Sequence, residues 1–192
     1  MISRFSSFIA RKILSGENLT NDERELYNYG FFMLTSHFLY FVLACLFGIL
    51  FKCFWRAVVF YIVFQLIRRF AGGYHANTES RCEVLTSLSM LGSVGLIRLS
   101  ELHNFNLPLL CTSLACGEII FVLSPLDTPE KPLTKKELGC FRKVSRVLSV
   151  LILAVIVISY FKELYTLFAP CCIGFALESV LLIAGKIKRQ NS

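Results

Sequence analysis

The sequence places a cysteine and a histidine, Cys82 and His75, in one short polar stretch between two apolar segments. A cysteine thiolate is a strong nucleophile, and a histidine can move the proton that nucleophilic attack on a peptide bond requires. Such a pair can cleave an amide bond through a covalent thioester intermediate. The residue types therefore predict thiol-based chemistry at Cys82 and His75.

Cys82 is expected near the start of a helix. Ser80 and Glu83 have the spacing of a capping box, which predicts that the helix begins just after Ser80. A helix N-terminus favours an anion, here a thiolate, because of its free N–H groups and its positive dipole end. If residues 75–82 formed one straight helix, His75 and Cys82 would lie about 10.5 Å apart along the axis, too far for proton transfer. The pair therefore requires His75 to fold back over the helix end from a loop.

Gly72 and Gly73 can supply the turn that this loop needs, since glycine adopts positive φ without a steric cost. Residues 68–82, RRFAGGYHANTESRC, are thus predicted to form a folded catalytic loop.

The alternative to a catalytic role is that Cys82 is a small hydrophobic residue that fills space between helices. This is what we expect of six other cysteines in or beside apolar runs. A zinc site is disfavoured, because zinc needs three or four ligands and His75 and Cys82 supply only two. A serine hydrolase is disfavoured because the sequence contains no G-x-S-x-G motif. We predict no metal and no cofactor.

The elements that must position this pair are strongly apolar. The chain has 192 residues, of which 55% are hydrophobic and 17% charged, whereas soluble domains have about 25% charged residues. Six apolar segments approach the roughly 17–25 residues that cross a bilayer; they cover about 30–51, 54–67, 83–97, 107–123, 147–161 and 164–185. We predict an all-α, polytopic membrane helix bundle of about six transmembrane segments, with residues 1–192 forming a single domain.

The N-terminal stretch 1–16 is predicted to be an amphipathic interfacial helix. Its apolar residues recur at helical spacing, and Arg4, Arg11 and Lys12 lie on the other side. Such a helix lies on an anionic membrane surface. A capping box formed by Thr20 and Glu23 then predicts the start of the next helix.

The basic residues predict the orientation in the membrane. If the N-terminus is cytoplasmic and each segment crosses once, sixteen of the 20 Lys and Arg residues lie inside. The four outside are Lys52, Arg56, Arg98 and Lys162. This distribution follows the positive-inside rule and places both termini and the loop 68–82 in the cytoplasm. The net charge of +7 does not indicate a nucleic-acid partner, because the charges flank apolar runs and do not form a water-facing groove with aromatic residues.

A second cytoplasmic loop, predicted at residues 124–146, combines prolines with basic residues. Its prolines favour an extended path. Lys131, Lys135 and Lys136 could bind an acidic peptide segment, or they could simply contact lipid headgroups. Asp127 is a candidate for orienting His75, as third members of catalytic triads do.

Together, RRFAGGYHANTESRC and the later SPLDTPEKPLTKKE resemble the two cytoplasmic motifs of the AgrB family (accessory gene regulator protein B). The resemblance covers nearly the whole chain. It implies a cysteine endopeptidase of the bacterial cell membrane that removes the acidic C-terminal tail of an AgrD-like precursor peptide. The resemblance also implies that the same enzyme closes a thiolactone or lactone ring, which gives a quorum-sensing signal.

The resemblance also assigns roles to residues. Cys82 corresponds to the nucleophile and His75 to the general base and acid, while Arg68 and Gly73 match positions that matter for family activity. The lysines beside the Asp-Thr-Pro element match the family's basic loop. A homodimer is compatible with the resemblance, although no G-x-x-x-G interface motif occurs. The rival hypothesis is a non-enzymatic transporter or peptide-export bundle, which predicts ionisable residues buried within the membrane.

Overall fold

In a computed structural model of the chain, we describe residues 20–74, 76, 78–127 and 134–190. The side chain of Glu79 is left out of this description. Three predictions fall outside the described residues: the interfacial helix at 1–16, the position of His75, and the position of Lys131.

The described residues are all-α, as predicted, and they contain six helices. These are α1 (Asn21–Leu50), α2 (Phe54–Ala71), α3 (Glu79–His103), α4 (Asn106–Leu123), α5 (Lys135–Phe161) and α6 (Tyr165–Gln190). Each of the six predicted apolar segments lies within one of them, apart from a residue or so at an end. Five of the helices, all except α2, are long and apolar enough to cross a membrane. The 18 residues of α2 include three arginines, two of them in its last turn.

Capping boxes begin two of the helices. At the start of α1, the Thr20 hydroxyl accepts a hydrogen bond from the Glu23 N–H, and the Thr20 N–H donates to the Glu23 carboxylate at 2.9 Å. This confirms the predicted cap. Thr134 and Glu137 form the same pair at the start of α5. Helix α5 therefore begins at Lys135 and not near Val147, so much of the basic stretch predicted as loop is helical.

The chain divides into two compact units, one ending at Leu43 and the other beginning at Ala44. In the described part of the first unit, α1 is apolar and largely exposed, with Leu34 and Phe38 68% and 64% accessible. The prediction of one domain over 1–192 stays a prediction.

Helix α6 is the central helix of the second unit. It packs against α2, α3, α4 and α5. In the most apolar stretch of α6, 61% of the residues are buried. The corresponding share is 28% or less in the other candidate membrane spans of this unit. The core around it includes Ile67, Ile120, Ile156, Phe168, Phe175 and Leu182.

Large apolar side chains cover much of the outer surface of this unit. Trp55, Val122 and Phe161 are each at least 70% exposed. Apolar patches of this kind on a protein surface mark contact with a membrane or with another protein. Together with the five long apolar helices, they indicate a multi-pass membrane protein.

Candidate active site

Cys82 lies in the first turn of α3, but the residue that caps this helix differs from the prediction. The Thr78 hydroxyl accepts from the Arg81 N–H at 3.4 Å, so Thr78 is the N-cap and Ser80 is the second helical residue. The capping box at Ser80 and Glu83 was therefore a wrong prediction. Beginning at Glu79 adds backbone hydrogen bonds to the helix, including one of 3.1 Å from the Cys82 N–H to the Thr78 carbonyl.

This earlier start changes the environment of the thiol. Cys82 is the fourth residue of α3, and its own N–H is already used by the helix. The first N–H groups of a helix have no hydrogen-bond partner within the helix. In α3 these include the N–H groups of Glu79 and Ser80. Cys82 remains within the first turn, where the dipole of the helix favours negative charge.

Cys82 is half-buried, as are Cys45 and Cys116, whereas Cys111 and Cys140 are exposed. Cys53, Cys171 and Cys172 are buried, so three of the six cysteines expected to pack do lie in the core. Burial raises the pKa of the Cys53 thiol, which disfavours the thiolate there. What distinguishes Cys82 among the half-buried and exposed cysteines is its position in the first turn of a helix.

The predicted glycine turn follows α2. Gly72 has φ +77° and Gly73 has φ +132°, both in the region that favours glycine. Helix α2 ends at Ala71 and α3 begins at Glu79, so residues 75–82 do not form one straight helix. The folded-back position of His75 over the start of α3 stays a prediction. The distance from the His75 ring to the Cys82 sulfur lies outside the described residues.

The loop after α2 contacts the start of the stretch predicted as the second loop. The Leu126 N–H donates to the Ala71 carbonyl at 2.8 Å, and Gly72 forms a parallel bridge with Leu126. A Cβ at Gly72 would lie 2.6 Å from the Leu126 carbonyl oxygen, so this approach requires glycine. Asp127 follows directly. The structure thus brings together two stretches that the sequence identified separately.

The same loop is also bound to α6. The Tyr74 N–H donates to the Leu181 carbonyl at 2.9 Å. One turn further along α6, a Cβ at Gly185 would lie 2.9 Å from the Tyr74 nitrogen and from the Gly73 carbonyl carbon. The Lys188 ammonium lies 5.6 Å from the centre of the Tyr74 ring. Tyr74, the residue before His75, is therefore fixed against the central helix.

Arg68 also holds this loop. Its two terminal nitrogens donate to the Gly72 carbonyl at 2.7 Å and to the Tyr74 carbonyl at 2.6 Å. A Cβ at Gly73 would displace the Arg68 guanidinium, and the φ of +132° would strain any other residue at this position. The guanidinium also lies 3.9 Å from the carboxylate of Glu178, which is fully buried in α6.

Glu178 and Gly185 were missed by the sequence analysis. A signal was present for each, since an acidic residue and a late glycine interrupt the otherwise apolar run 164–185. Of the predicted tail-binding lysines, Lys135 and Lys136 are exposed in the first turn of α5.

Replacing Gly185 with alanine is expected to destabilise the protein. The new methyl group would meet the Leu126 side chain at 2.5 Å and two backbone atoms of the loop at 2.9 Å. Overpacking of this kind costs about 1–3 kcal/mol, more than the gain of about 0.5–1 kcal/mol from replacing a helical glycine. We expect a lower thermal unfolding midpoint in detergent.

Gly92→Ala is the matched control, because a Cβ at this exposed position of α3 meets nothing within 4 Å. Its midpoint should stay the same or rise. An unchanged midpoint for Gly185→Ala would contradict the close approach of the loop to α6.

Comparisons with known proteins identify a family. Residues 6–182 match the family model for accessory gene regulator B. An AgrB-like protein of Clostridium perfringens strain SM101 is 25% identical over 192 residues, which cover 95% of this chain and 85% of the relative. AgrB-like protein 2 of Clostridium perfringens strain 13 is 26% identical over 182 residues, 88% of this chain and 84% of the relative. No solved structure matches the chain. Because the family model spans most of the sequence, including both loops, the chain belongs to the AgrB family, whose members process the peptides of accessory gene regulator quorum sensing.

Proposed function

We propose that the protein is a cysteine endopeptidase that removes the C-terminal tail of an AgrD-like precursor and closes the remaining peptide into a thiolactone or lactone ring. Family membership supports the peptide substrate. The observation that carries the enzymatic proposal is the loop before His75, which α2, α6 and Leu126 hold. The chain continues from this loop into α3, whose first turn bears Cys82. Such rigid support is what a catalytic pair requires.

The proposed reaction has two acyl transfers. The Cys82 thiolate attacks the carbonyl carbon at the tail junction, and the C–N bond breaks as His75 protonates the leaving amine. This releases the tail and leaves the precursor as a thioester on Cys82. The precursor's own thiol or hydroxyl then gives its proton to His75, attacks that carbonyl and expels the Cys82 thiolate. This closes the ring and restores the proton that His75 gave to the amine, without a cofactor.

Ring closure must compete with hydrolysis of the thioester. Exclusion of water at a membrane edge favours the intramolecular attack. Holding both ends of a short peptide raises the effective concentration of its nucleophile. In the proposal, Lys131, Lys135 and Lys136 bind the acidic tail, residues 1–16 share the membrane surface with the peptide's leader, and Asp127 orients His75.

We further propose that all six helices cross the bacterial cell membrane, with both termini and Cys82 in the cytoplasm. Helix α2 is about 27 Å long at 1.5 Å per residue, and its arginines lie near its ends. Arg56 near its start forms an ion pair with Glu101 near the end of α3, and Arg98 lies 2.7 Å from the same carboxylate. These charges support a common extracytoplasmic end for the two helices.

Thiol labelling of intact cells tests this orientation. We expect a membrane-impermeant maleimide to leave Cys82 and the exposed Cys140 unlabelled until the membrane is opened. A cysteine introduced as Lys162→Cys, in the exposed turn between α5 and α6, should be labelled from outside. Labels are located by peptide mass spectrometry. Labelling of Cys82 in intact cells would show that the orientation is wrong.

A peptide-export bundle is the second candidate function, and Glu178 is the observation that favours it. A carboxylate fully buried in an apolar helix is typical of transport pathways. However, Glu178 lies beside Arg68, which binds the loop before His75. This contact links the buried charge to the proposed catalytic loop.

Tail release tests the proposed enzyme. The AgrD-like precursor is taken from the short reading frames that flank the gene and is reconstituted with the purified protein in liposomes. We expect a free tail peptide, and a ring lighter by one water than the corresponding linear peptide. Folded protein that transports the intact precursor and releases no tail would support the export function instead.

A further inference from the structure

Glu178 is the buried charged group that the proposed reaction does not use. Its side chain is fully buried, and neither carboxylate oxygen accepts a hydrogen bond in the described part of the chain. Burying an ionised carboxylate is very costly unless a positive charge compensates it. The nearest such charge is the Arg68 guanidinium, 3.9 Å away and 17% exposed.

Arg68 connects this carboxylate to the loop. One guanidinium carries all three contacts, since its terminal nitrogens donate to the carbonyls of Gly72 and Tyr74 while it faces Glu178. A guanidinium is planar and its donors have fixed directions. A charge placed on one side of it therefore favours the orientation in which both carbonyls are bound.

The position of Glu178 on α6 supports the same function. Glu178, Leu181 and Gly185 are spaced three and four residues apart, which places them on one face of the helix. Leu181 accepts the Tyr74 N–H, and Gly185 leaves space for Gly73 and Tyr74. One face of the central helix thus contacts the loop directly at Leu181 and Gly185, and indirectly at Glu178 through Arg68.

We propose that Glu178 is a positioning residue for the catalytic loop: it orients Arg68, which binds the carbonyls of Gly72 and Tyr74 and thereby sets where His75 is presented to Cys82. The inference rests on the proposed peptidase function. Glu178 touches neither the substrate nor the reacting atoms in this scheme. Its removal should slow the chemical step without weakening peptide binding.

The first test is the kinetics of tail removal by the full-length protein in liposomes. Glu178→Gln keeps the size of the side chain and removes its charge. We expect kcat to fall by about tenfold to about 100-fold, because small misplacements of catalytic groups cost that much, while the KM for the precursor stays within about twofold. Glu118→Gln, the same change on an exposed carboxylate of α4, should leave both constants unchanged.

A double-mutant cycle tests whether Glu178 acts through Arg68. Arg68→Gln combined with Glu178→Gln should be no slower than Arg68→Gln alone, since both changes disrupt one contact chain. A wild-type kcat for Glu178→Gln, or losses that multiply in the double variant, would overturn the proposal. If Glu178→Gln is not recovered from membranes, Glu178→Asp decides: a reduced kcat at unchanged KM supports the proposal, and a wild-type kcat overturns it.

Hydrogen exchange at the Tyr74 amide separates this proposal from the peptidase function. This amide donates to the Leu181 carbonyl, so a loosened loop should exchange it about tenfold faster in Glu178→Gln, whether or not the protein cleaves peptides. Absence of tail release by wild-type protein, with faster exchange in the variant, would refute the enzyme and keep the positioning contact. Normal exchange and normal kcat in the variant would refute the positioning role alone.

Discussion

Cys82→Ala is expected to abolish tail removal, with a fall of more than about 10⁴-fold in the rate, because no acyl-enzyme can form without the nucleophile. Cys82→Ser should also be inactive, since a serine hydroxyl at neutral pH is a much weaker nucleophile than a thiolate. Both variants should fold, because Cys82 is only half-buried and its loss leaves little cavity. The measurement is the amount of released tail, determined by mass spectrometry over time.

The matched control is Cys140→Ala, which changes an exposed cysteine on α5. Its rate should equal that of the wild-type protein. Normal tail removal by Cys82→Ala would refute the enzymatic proposal, since no other half-buried or exposed cysteine of the described residues lies in the first turn of a helix.

His75→Ala is expected to lower the rate of tail removal by about 10²–10⁴-fold, which is the typical contribution of a general acid–base group. The leaving amine would have to depart without a positioned proton donor. Because Cys82 remains present, the residual rate should exceed that of Cys82→Ala. Added imidazole should restore part of the activity if the deleted side chain transfers a proton.

His103→Ala is the control for this variant. His103 is the last residue of α3, and it lies about 32 Å along that helix from Cys82 at 1.5 Å per residue. Its replacement should leave the rate unchanged. A wild-type rate for His75→Ala would remove His75 from the mechanism and leave Cys82 without its proposed base.

The apolar runs were sufficient to predict the helices, because a segment that must cross hydrocarbon shows its length directly in the sequence. Helix ends were harder. The start of α5 at Lys135 was readable from the capping box of Thr134 and Glu137, yet the basic residues after it suggested a loop. Before α3, both Thr78 and Ser80 have a hydroxyl that could cap the helix. The N-cap is Thr78, so the helix begins two residues earlier than a cap at Ser80 would allow.

The candidate site was only partly predictable. Local spacing identified the glycine turn and the position of Cys82 in a first helical turn, since both are short-range features. The contacts of Arg68 with Glu178, and of Ala71 with Leu126, join residues far apart in the sequence. Such pairs depend on how helices pack, and no local period encodes them.

The most direct test of the central claim is to detect the acyl-enzyme. A precursor whose ring-forming cysteine or serine is replaced by alanine cannot close the ring, so the thioester on Cys82 should accumulate unless water reaches it. Intact mass spectrometry should then show wild-type protein heavier by the mass of the tail-less linear peptide less one water. Hydroxylamine should remove this adduct, and Cys82→Ala should lack it. Tail release with no adduct on Cys82, or an adduct on another residue, would contradict the account.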